Sequence, residues 1–382
     1  MQVLITARGY PTNKFRMNGI FEFDQAKALA KAGVDVIYAA VDVRSLLRWR
    51  KWGFEEKIID DVRIFAINIP CGRIPMKLYE WITEKALRRL YSRIVSKCGR
   101  PDIIHSHFLN FGYITVHALK EKGIPIVHTE HFSVMNQDQL DEHTQFLGDR
   151  TYHKVDQVIA VSQALKESIK EKFRIDAMII PNIVDTTVFT YLPEQRSDDE
   201  FCFISVGGLI GRKRMDQLIS TFHEVFSEKP EVKLFIFGEG PEKGNLERMI
   251  ERLGLSGRVF LLGLTDRKII ARKMNESHCF VLASQLETFG VAFIEALACG
   301  LPVIATKSGG PEGFIDDKNG ILIPVNNAER LAEAMKTMYL NIKKYDRFAI
   351  AEEIKAYFSP EAVAKNIIGV YQRLLDTGKL EK

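Results

Sequence analysis

SQLETFGVAFIEALACGLPVIATKSGGPEGFI, Ser284 to Ile315, is the stretch that decides the fold. The apolar run before it, CFVLA from Cys279 to Ala283, reads as a buried strand, and SQLETFG leaves that strand as a polar loop. Phe293, Ile294, Leu297 and Ala298 then recur at helical spacing. Gly300 stands where a helix end favours φ > 0, Pro302 forbids continuation, and VIAT, Val303 to Thr306, opens the next buried strand. The stretch is therefore a strand, helix, strand unit, and such units bind ligands outside the carboxyl ends of their strands. There the amides of Phe289, Gly290 and Val291 would start the helix as unpaired donors, a cradle for a diphosphate. Gly290 has no side chain to hold a ligand off the backbone. Glu287 stands at the entrance, and Glu295, about a turn and a half into the helix, can return toward the same ligand.

Working outward, 382 residues suit two domains of roughly 180 each. The chain is 46% apolar and 27% charged, which is the balance of a soluble globular protein, and no apolar run approaches the ~20 residues of a membrane span. MQVLITARGY reads as a first strand and not as a secretory signal, so a cytoplasmic location is expected. Cys71, Cys98, Cys202, Cys279 and Cys299 are odd in number and form no C-x-x-C pair, which points to reduced residues. The net charge of +4 is unevenly placed: residues 44–100 hold 14 Lys or Arg against 6 Asp or Glu and all three tryptophans.

The N-terminal half alternates strands and helices: VLITA (3–7), a helix over 20–32, VDVIYAA (34–40), DVRIFAI (61–67), a long basic helix over 76–97, DIIHSH (102–107), PIVHTEH (125–131) and QVIAVS (157–162). This predicts a doubly wound parallel sheet. In the first loop, Gly19 falls where a phosphate or sugar could meet backbone amides. His131 falls at a carboxyl strand end, where it can bond a sugar hydroxyl or a reacting oxygen, while His105, His107 and His128 read as structural. In the second half, FCFISVGGLIGRKRMDQLI places Gly207 and Gly208 before Arg212 and Lys213 at a helix start, and amides and cations there attract the same anion. KLFIFGEGPEKG has the spacing G-x-G-x-x-x-G and is read as a turn.

These features together resemble the retaining glycosyltransferases of family 4, which carry two glutamates separated by seven residues, as Glu287 and Glu295 are. ETFG, EALACGLPVIAT and the pair Gly309–Gly310 before Pro311 and Glu312 match as well, and the resemblance runs nearly end to end. It implies an α/β protein of the GT-B fold, two Rossmann-like doubly wound domains facing a cleft: an acceptor-binding domain over 1–183, a nucleotide-sugar-binding domain over 184–358, and a terminal helix, 359–382, packing back on the first domain. It implies that His131 contacts the donor sugar, that Lys213 binds the diphosphate, that the base rests near Gly263 and Leu264, and that Glu295 accepts bonds from ribose hydroxyls. Glu287 would orient the sugar or stabilise charge at the anomeric carbon. Two positions depart from the pattern: Asn18 replaces the first of two loop glycines, and Gly208 replaces an arginine that Arg212 would have to substitute.

The expected reaction moves a sugar from a UDP or GDP donor to a glycan or lipid-linked acceptor, in cell-envelope polysaccharide or glycolipid synthesis. No D-x-D occurs, so no metal is expected, and no cofactor. Paired carboxylates also suit a glycosidase. A sugar-nucleotide epimerase of GT-B fold and a non-catalytic sugar-nucleotide-binding protein are the other readings, and product analysis without acceptor separates epimerase from transferase. Trp49, Trp52, Phe54, Tyr79 and Trp81 among the cations of residues 44–100 suit an anionic membrane surface and a polyprenyl-linked acceptor; they equally suit a helix whose aromatic face is core. No nucleic-acid module accompanies the basic residues.

Overall fold

The computed structural model describes residues 1–380 other than 13, 16–17, 46–50, 73, 194–195 and 197–198, with side chains to residue 377. The chain divides into two compact units, Met1–Ile183 with Pro360–Lys382, and Val184–Ser359.

The first unit holds strands β1 (Gln2–Ala7), β2 (Asp35–Arg44), β3 (Gly53–Ile59), β4 (Val62–Pro70), β5 (Ile103–His107), β6 (Ile126–Glu130), β7 (Gln157–Ala160) and β8 (Met178–Ile179) in the order β3-β4-β2-β1-β5-β6-β7-β8. All neighbours are parallel except the β3–β4 hairpin. The helices are α1 (Ile20–Lys31), α2 (Met76–Cys98), α3 (Leu109–Leu119), α4 (Glu142–Tyr152) and α5 (Gln163–Phe173). Successive residues of β1 serve opposite faces: Val3 and Ile5 join Phe23 and Leu29 of α1, whereas Leu4 joins Leu87 and Leu90 of α2. A parallel sheet covered on both faces needs such an unbroken apolar run.

The second unit holds β9 (Phe201–Val206), β10 (Val232–Phe237), β11 (Val259–Leu261), β12 (Cys279–Leu282), β13 (Val303–Thr306) and β14 (Gly320–Ile323), all parallel, in the order β11-β10-β9-β12-β13-β14. Its helices are α6 (Met215–Phe226), α7 (Lys243–Arg252), α8 (Arg267–Glu276), α9 (Val291–Ala298), α10 (Ala328–Asn341) and α11 (Arg347–Phe358). The last helix, α12 (Pro360–Leu380), belongs to the first unit. Its Val363, Ile367, Val370 and Tyr371 are fully buried in the same cluster as α1, each contributing about 1.5–3 kcal/mol by area.

The sequence reading missed β3, and with it the nature of the stretch that runs into Phe54. From Gly53 that stretch is an edge strand pairing antiparallel with β4. The alternation of Phe54, Glu56 and Ile58 with Glu55, Lys57 and Ile59 carries no clear apolar face, so the period-2 signal was hidden. Core also does not absorb the aromatics: Trp52, Phe54 and Trp81 are exposed and only Tyr79 packs inward, while Trp49 lies outside the described residues.

Candidate active site

Each sheet has one place where the chain leaves for opposite directions, between β9 and β12 in the second unit and between β1 and β5 in the first. Loops after the carboxyl ends of those strands cannot close over each other and leave a crevice suited to ligands.

In the second unit the loop after β12 carries Glu287 and runs into α9 at Gly290, and the loop after β9 carries Lys213. Lys213 Nζ forms an ion pair with Glu287 Oε1, both side chains largely buried. The lysine stem lies beside Gly207, 3.7 Å from where a Cβ would sit. The Glu287 amide donates to the Ser308 carbonyl at 2.9 Å, tying this loop to the one after β13. Gly290 is the N-cap of α9 with φ 92°, and a Cβ there would lie 2.7 Å from Phe293. Gly310 presses on the backbone of Phe289, where a Cβ would come within 2.4 Å of its Cα. Among the described residues the amides of Phe289, Gly290 and Val291 donate no hydrogen bond within the protein, as expected for a helix start. One turn and a half further, Glu295 accepts from Arg267 Nη2 at 3.0 Å, and the Arg267 guanidinium lies over the Phe189 ring at 5.2 Å. Both glutamates thus meet a cation, one before and one after the free amides along the chain.

Arg212 is exposed, and its carbonyl accepts from the Gln285 amide at 2.8 Å. At Gly208 a Cβ would meet only the Glu239 carbonyl, at 3.9 Å, so the missing arginine has left open space. Gly263, with φ 69°, gives its carbonyl to the Gly238 amide at 2.9 Å, and Leu264 beside it is exposed.

In the first unit Gly19 is the N-cap of α1 with φ 69°, and a Cβ there would lie 2.3 Å from the Gly9 carbonyl. Asn18 lies over Gly9 in turn, so this loop is closed by glycine contacts of its own. His131 follows β6 directly. Its ring lies between Phe21, stacked at 6.1 Å, and Phe108 at 4.8 Å, with Arg8 on the Phe108 ring at 4.7 Å. Its Nε2 is 3.0 Å from His107 Nδ1. Burial holds the imidazole neutral, bringing its pKa down to about 4 against the pull of Glu130 and Asn182. Glu130 is fully buried and shapes the turn: Oε1 accepts from the amides of His131 and Phe132 at 2.9 and 2.8 Å, and Oε2 accepts from the Tyr152 hydroxyl at 2.6 Å. Burial would raise its pKa, but the bonds from His128, Tyr152 and the Phe132 amide outweigh that and hold it low.

Two family models match the chain. Glycosyl transferases group 1 matches residues 192–353, and Glycosyltransferase Family 4 matches residues 23–188. The chain belongs to glycosyltransferase family 4. The family 4 chain is 30% identical over 284 residues to a component of the phosphatidylinositol N-acetylglucosaminyltransferase of Homo sapiens, a match covering 72% of this chain and 58% of that one. It spans less than two thirds of the length of such curated relatives. Among solved structures, sucrose-phosphate synthase from Thermosynechococcus elongatus is similar at TM-score 0.82 and 21% identity, covering 98% of this chain and 99% of that one. HepE of Anabaena in complex with UDP-glucose is similar at TM-score 0.73 and 19% identity, covering 98% and 100%. The fold of this family 4 chain is GT-B.

Of the residues expected at the site, Lys213, Glu287 and the start of α9 come together after the carboxyl ends of β9 and β12, and Glu295 follows on the same helix. Sequence reasoning did not single out three residues that contact these candidates. Arg267 stands in a helix start after an Asp cap, with no signal that it reaches Glu295. Glu130 lies in PIVHTEH, but a fully buried carboxylate is visible only once its four partners are placed. His107, read as structural, is buried against His131 with its Nδ1 3.0 Å from His131 Nε2. His105 and His128 have both ring nitrogens bonded, to Tyr371 and Thr129 and to Ser106 and Glu130. Among the described residues no group of three or more His, Cys, Asp or Glu is arranged to hold a metal ion.

Proposed function

We propose that this chain transfers a sugar from a nucleotide diphosphate donor to a glycan or lipid-linked acceptor, with retention at the anomeric carbon. The observation that carries the reading is the start of α9, where along the chain free amides follow the glutamate paired with Lys213 and precede the one paired with Arg267. The amides of Phe289, Gly290 and Val291 would bind the diphosphate and stabilise the charge that grows as the glycosidic bond breaks, with Lys213 and Arg212 in place of a metal. Glu295 would accept from ribose hydroxyls, the backbone at Gly263 and Leu264 would receive the base, and Glu287 would orient the sugar. In the first unit, His131 would serve the sugar and the Gly19 loop the phosphate or acceptor. UDP is favoured over GDP because a similar solved structure holds UDP-glucose. A lipid-linked acceptor is favoured by the name of the phosphatidylinositol-modifying relative.

Such an acceptor would be met at a membrane. No helix among the described residues is long and apolar enough to cross one, but Trp52, Phe54, Ile58, Leu78 and Trp81 are exposed in the basic region, which suits peripheral binding at the cytoplasmic face. The deciding experiment is a thermal-shift panel of UDP, GDP and their sugar conjugates without metal, followed by product analysis with and without lipid acceptors. Stabilisation by one nucleotide class, lost in Glu295→Ala, with sugar transfer to an acceptor, supports the reading. Turnover without acceptor would indicate an epimerase or hydrolase, and binding without any turnover a non-catalytic protein.

A further inference from the structure

Lys213 is held on its loop by its neighbours. The turn that carries it, Gly211–Lys213, ends at Arg214, which has φ 50° and is the N-cap of α6. That is left-handed backbone, where a side chain is disfavoured and glycine is not. Each nitrogen of the Arg214 guanidinium has a partner in the protein. Nε and Nη2 donate to the Asp216 carboxylate at 3.2 and 3.4 Å, and Nη1 donates to Asn326 Oδ1 at 2.6 Å. Asn326, in the loop between β14 and α10, is also left-handed, with φ 55°. Its Oδ1 accepts a second bond, from Gln285 Nε2 at 2.8 Å. Gln285 belongs to the loop after β12, just ahead of Glu287, and its own amide donates to the Arg212 carbonyl at 2.8 Å.

These bonds can run in one direction only. A guanidinium donates and never accepts, so the Asn326 atom that meets it is the oxygen, and Gln285 must turn its NH2 toward that same oxygen. The loops after β9, β12 and β14 are therefore joined at one carboxamide oxygen. Arg212 and Arg214, the two neighbours of Lys213, are each fastened, one to Gln285 and the other to Asn326. With its nitrogens already engaged, Arg214 is poorly placed to bind a phosphate itself. A long side chain kept in left-handed backbone persists only where its surroundings hold it, and such departures cluster where geometry serves function.

We infer that Arg214 and Asn326 are positioning residues: their bond, shared with Gln285, sets the Lys213 loop against the Glu287 loop and so fixes the Lys213 ammonium beside Glu287. That the lysine then receives a diphosphate rests on the function proposed above. The tie is made of polar side chains near solvent, which add little to the stability of a fold. Its effect therefore falls on the placement of Lys213 and not on the melting temperature.

The test uses the full chain and three variants. Arg214→Gly and Asn326→Gly remove the tie and at the same time relieve left-handed backbone, so the melting temperature should stay unchanged or rise. Asn326→Asp keeps an acceptor for both donors. Because Lys213 is largely buried in its ion pair, trace acetylation with acetic anhydride, read by mass spectrometry, should modify it slowly in the wild type and in Asn326→Asp. In the two glycine variants it should react roughly three-fold faster or more, the loss of one side-chain hydrogen bond. By calorimetry the same two variants should bind UDP roughly three- to ten-fold more weakly and uridine, which lacks phosphates, unchanged, with Asn326→Asp close to wild type. Wild-type labelling of Lys213 in both glycine variants overturns the inference. So does a lowered melting temperature, which would make the tie part of the fold, or a loss in Arg214→Gly that Asn326→Gly does not share, which would make Arg214 act by its own charge. If Lys213→Ala leaves UDP binding unchanged, the diphosphate assignment fails, and the labelling still decides whether Arg214 and Asn326 hold the lysine.

Discussion

The ammonium of Lys213 and the carboxylate of Glu287 form an ion pair across the switch point of the second sheet, between loops that follow β9 and β12. The cation assigned to the diphosphate and the carboxylate assigned to the sugar therefore hold each other. On the proposed reading, a donor whose phosphates reach Lys213 would draw the ammonium away from Glu287 and free an acceptor beside the sugar. Lys213→Ala is expected to abolish stabilisation by UDP in a thermal-shift assay. It should also cost about 1–2 kcal/mol of stability, since Glu287 is left without its cation in a site that keeps some solvent contact. Glu287→Gln keeps the shape and a partner for Lys213, so UDP should still bind while kcat falls by ~100-fold or more. Equal loss of binding in both variants would show that the pair is only a structural clamp.

Glu295 is oriented by Arg267, whose guanidinium is braced on Phe189. Each charge-assisted bond to a ribose hydroxyl is worth about 1.5–3 kcal/mol, so the loss of even one in Glu295→Ala should weaken UDP by roughly 10-fold or more in calorimetry. The same substitution should bring UDP and 2′-deoxy-UDP closer in affinity. If their ratio is unchanged, Glu295 does not read the ribose.

Most of this arrangement was legible where chemistry is local in sequence. The strand, turn and helix of Ser284 to Ile315 announce themselves through Gly290, Gly300 and Pro302, because backbone conformation is written in the residues that permit it. Partners were not legible. Lys213 and Glu287 are 74 positions apart, Arg267 and Glu295 are 28 apart, and nothing in a single sequence says which cation a carboxylate will meet. The basic region was read through its charge, and its β3–β4 hairpin was missed because an edge strand with charged residues on both faces shows no alternation.

Glycines at the site divide into those the fold requires and one it does not. A Cβ at Gly310 would collide with the backbone of Phe289, which cannot swing aside as a side chain can, so Gly310→Ala should displace the α9 amides and remove UDP binding. Gly208 has open space and an ordinary backbone conformation. Gly208→Arg should fold with stability unchanged within about 0.5 kcal/mol. By adding a cation beside Lys213 it should tighten UDP more than uridine, which lacks phosphates. Equal effects on both ligands, or none, would mean that this position does not face the diphosphate.

Acid should unfold the first unit before any ligand effect is considered, and the sign follows from the buried histidines. His131 titrates at about 4 in the folded chain against an ordinary value of 6.5, and burial also pushes His105 and His107 well down. Between those values the unfolded chain binds the proton and the folded chain does not, so stability is full above pH 6.5 and falls as pH drops toward 4. For His131 alone the loss at pH 5 is about 2 kcal/mol. Glu22, buried with a raised pKa, works in the opposite direction at the lower end of that window. Amide hydrogen exchange of β1, β5 and β6 during urea unfolding follows the first unit without interference from the other. The midpoint should move to lower urea between pH 7 and pH 5, and His131→Asn should reduce the shift. A midpoint independent of pH over that range would mean that these rings accept protons in place, and the neutral, hydrogen-bonded column around His131 would have to be abandoned.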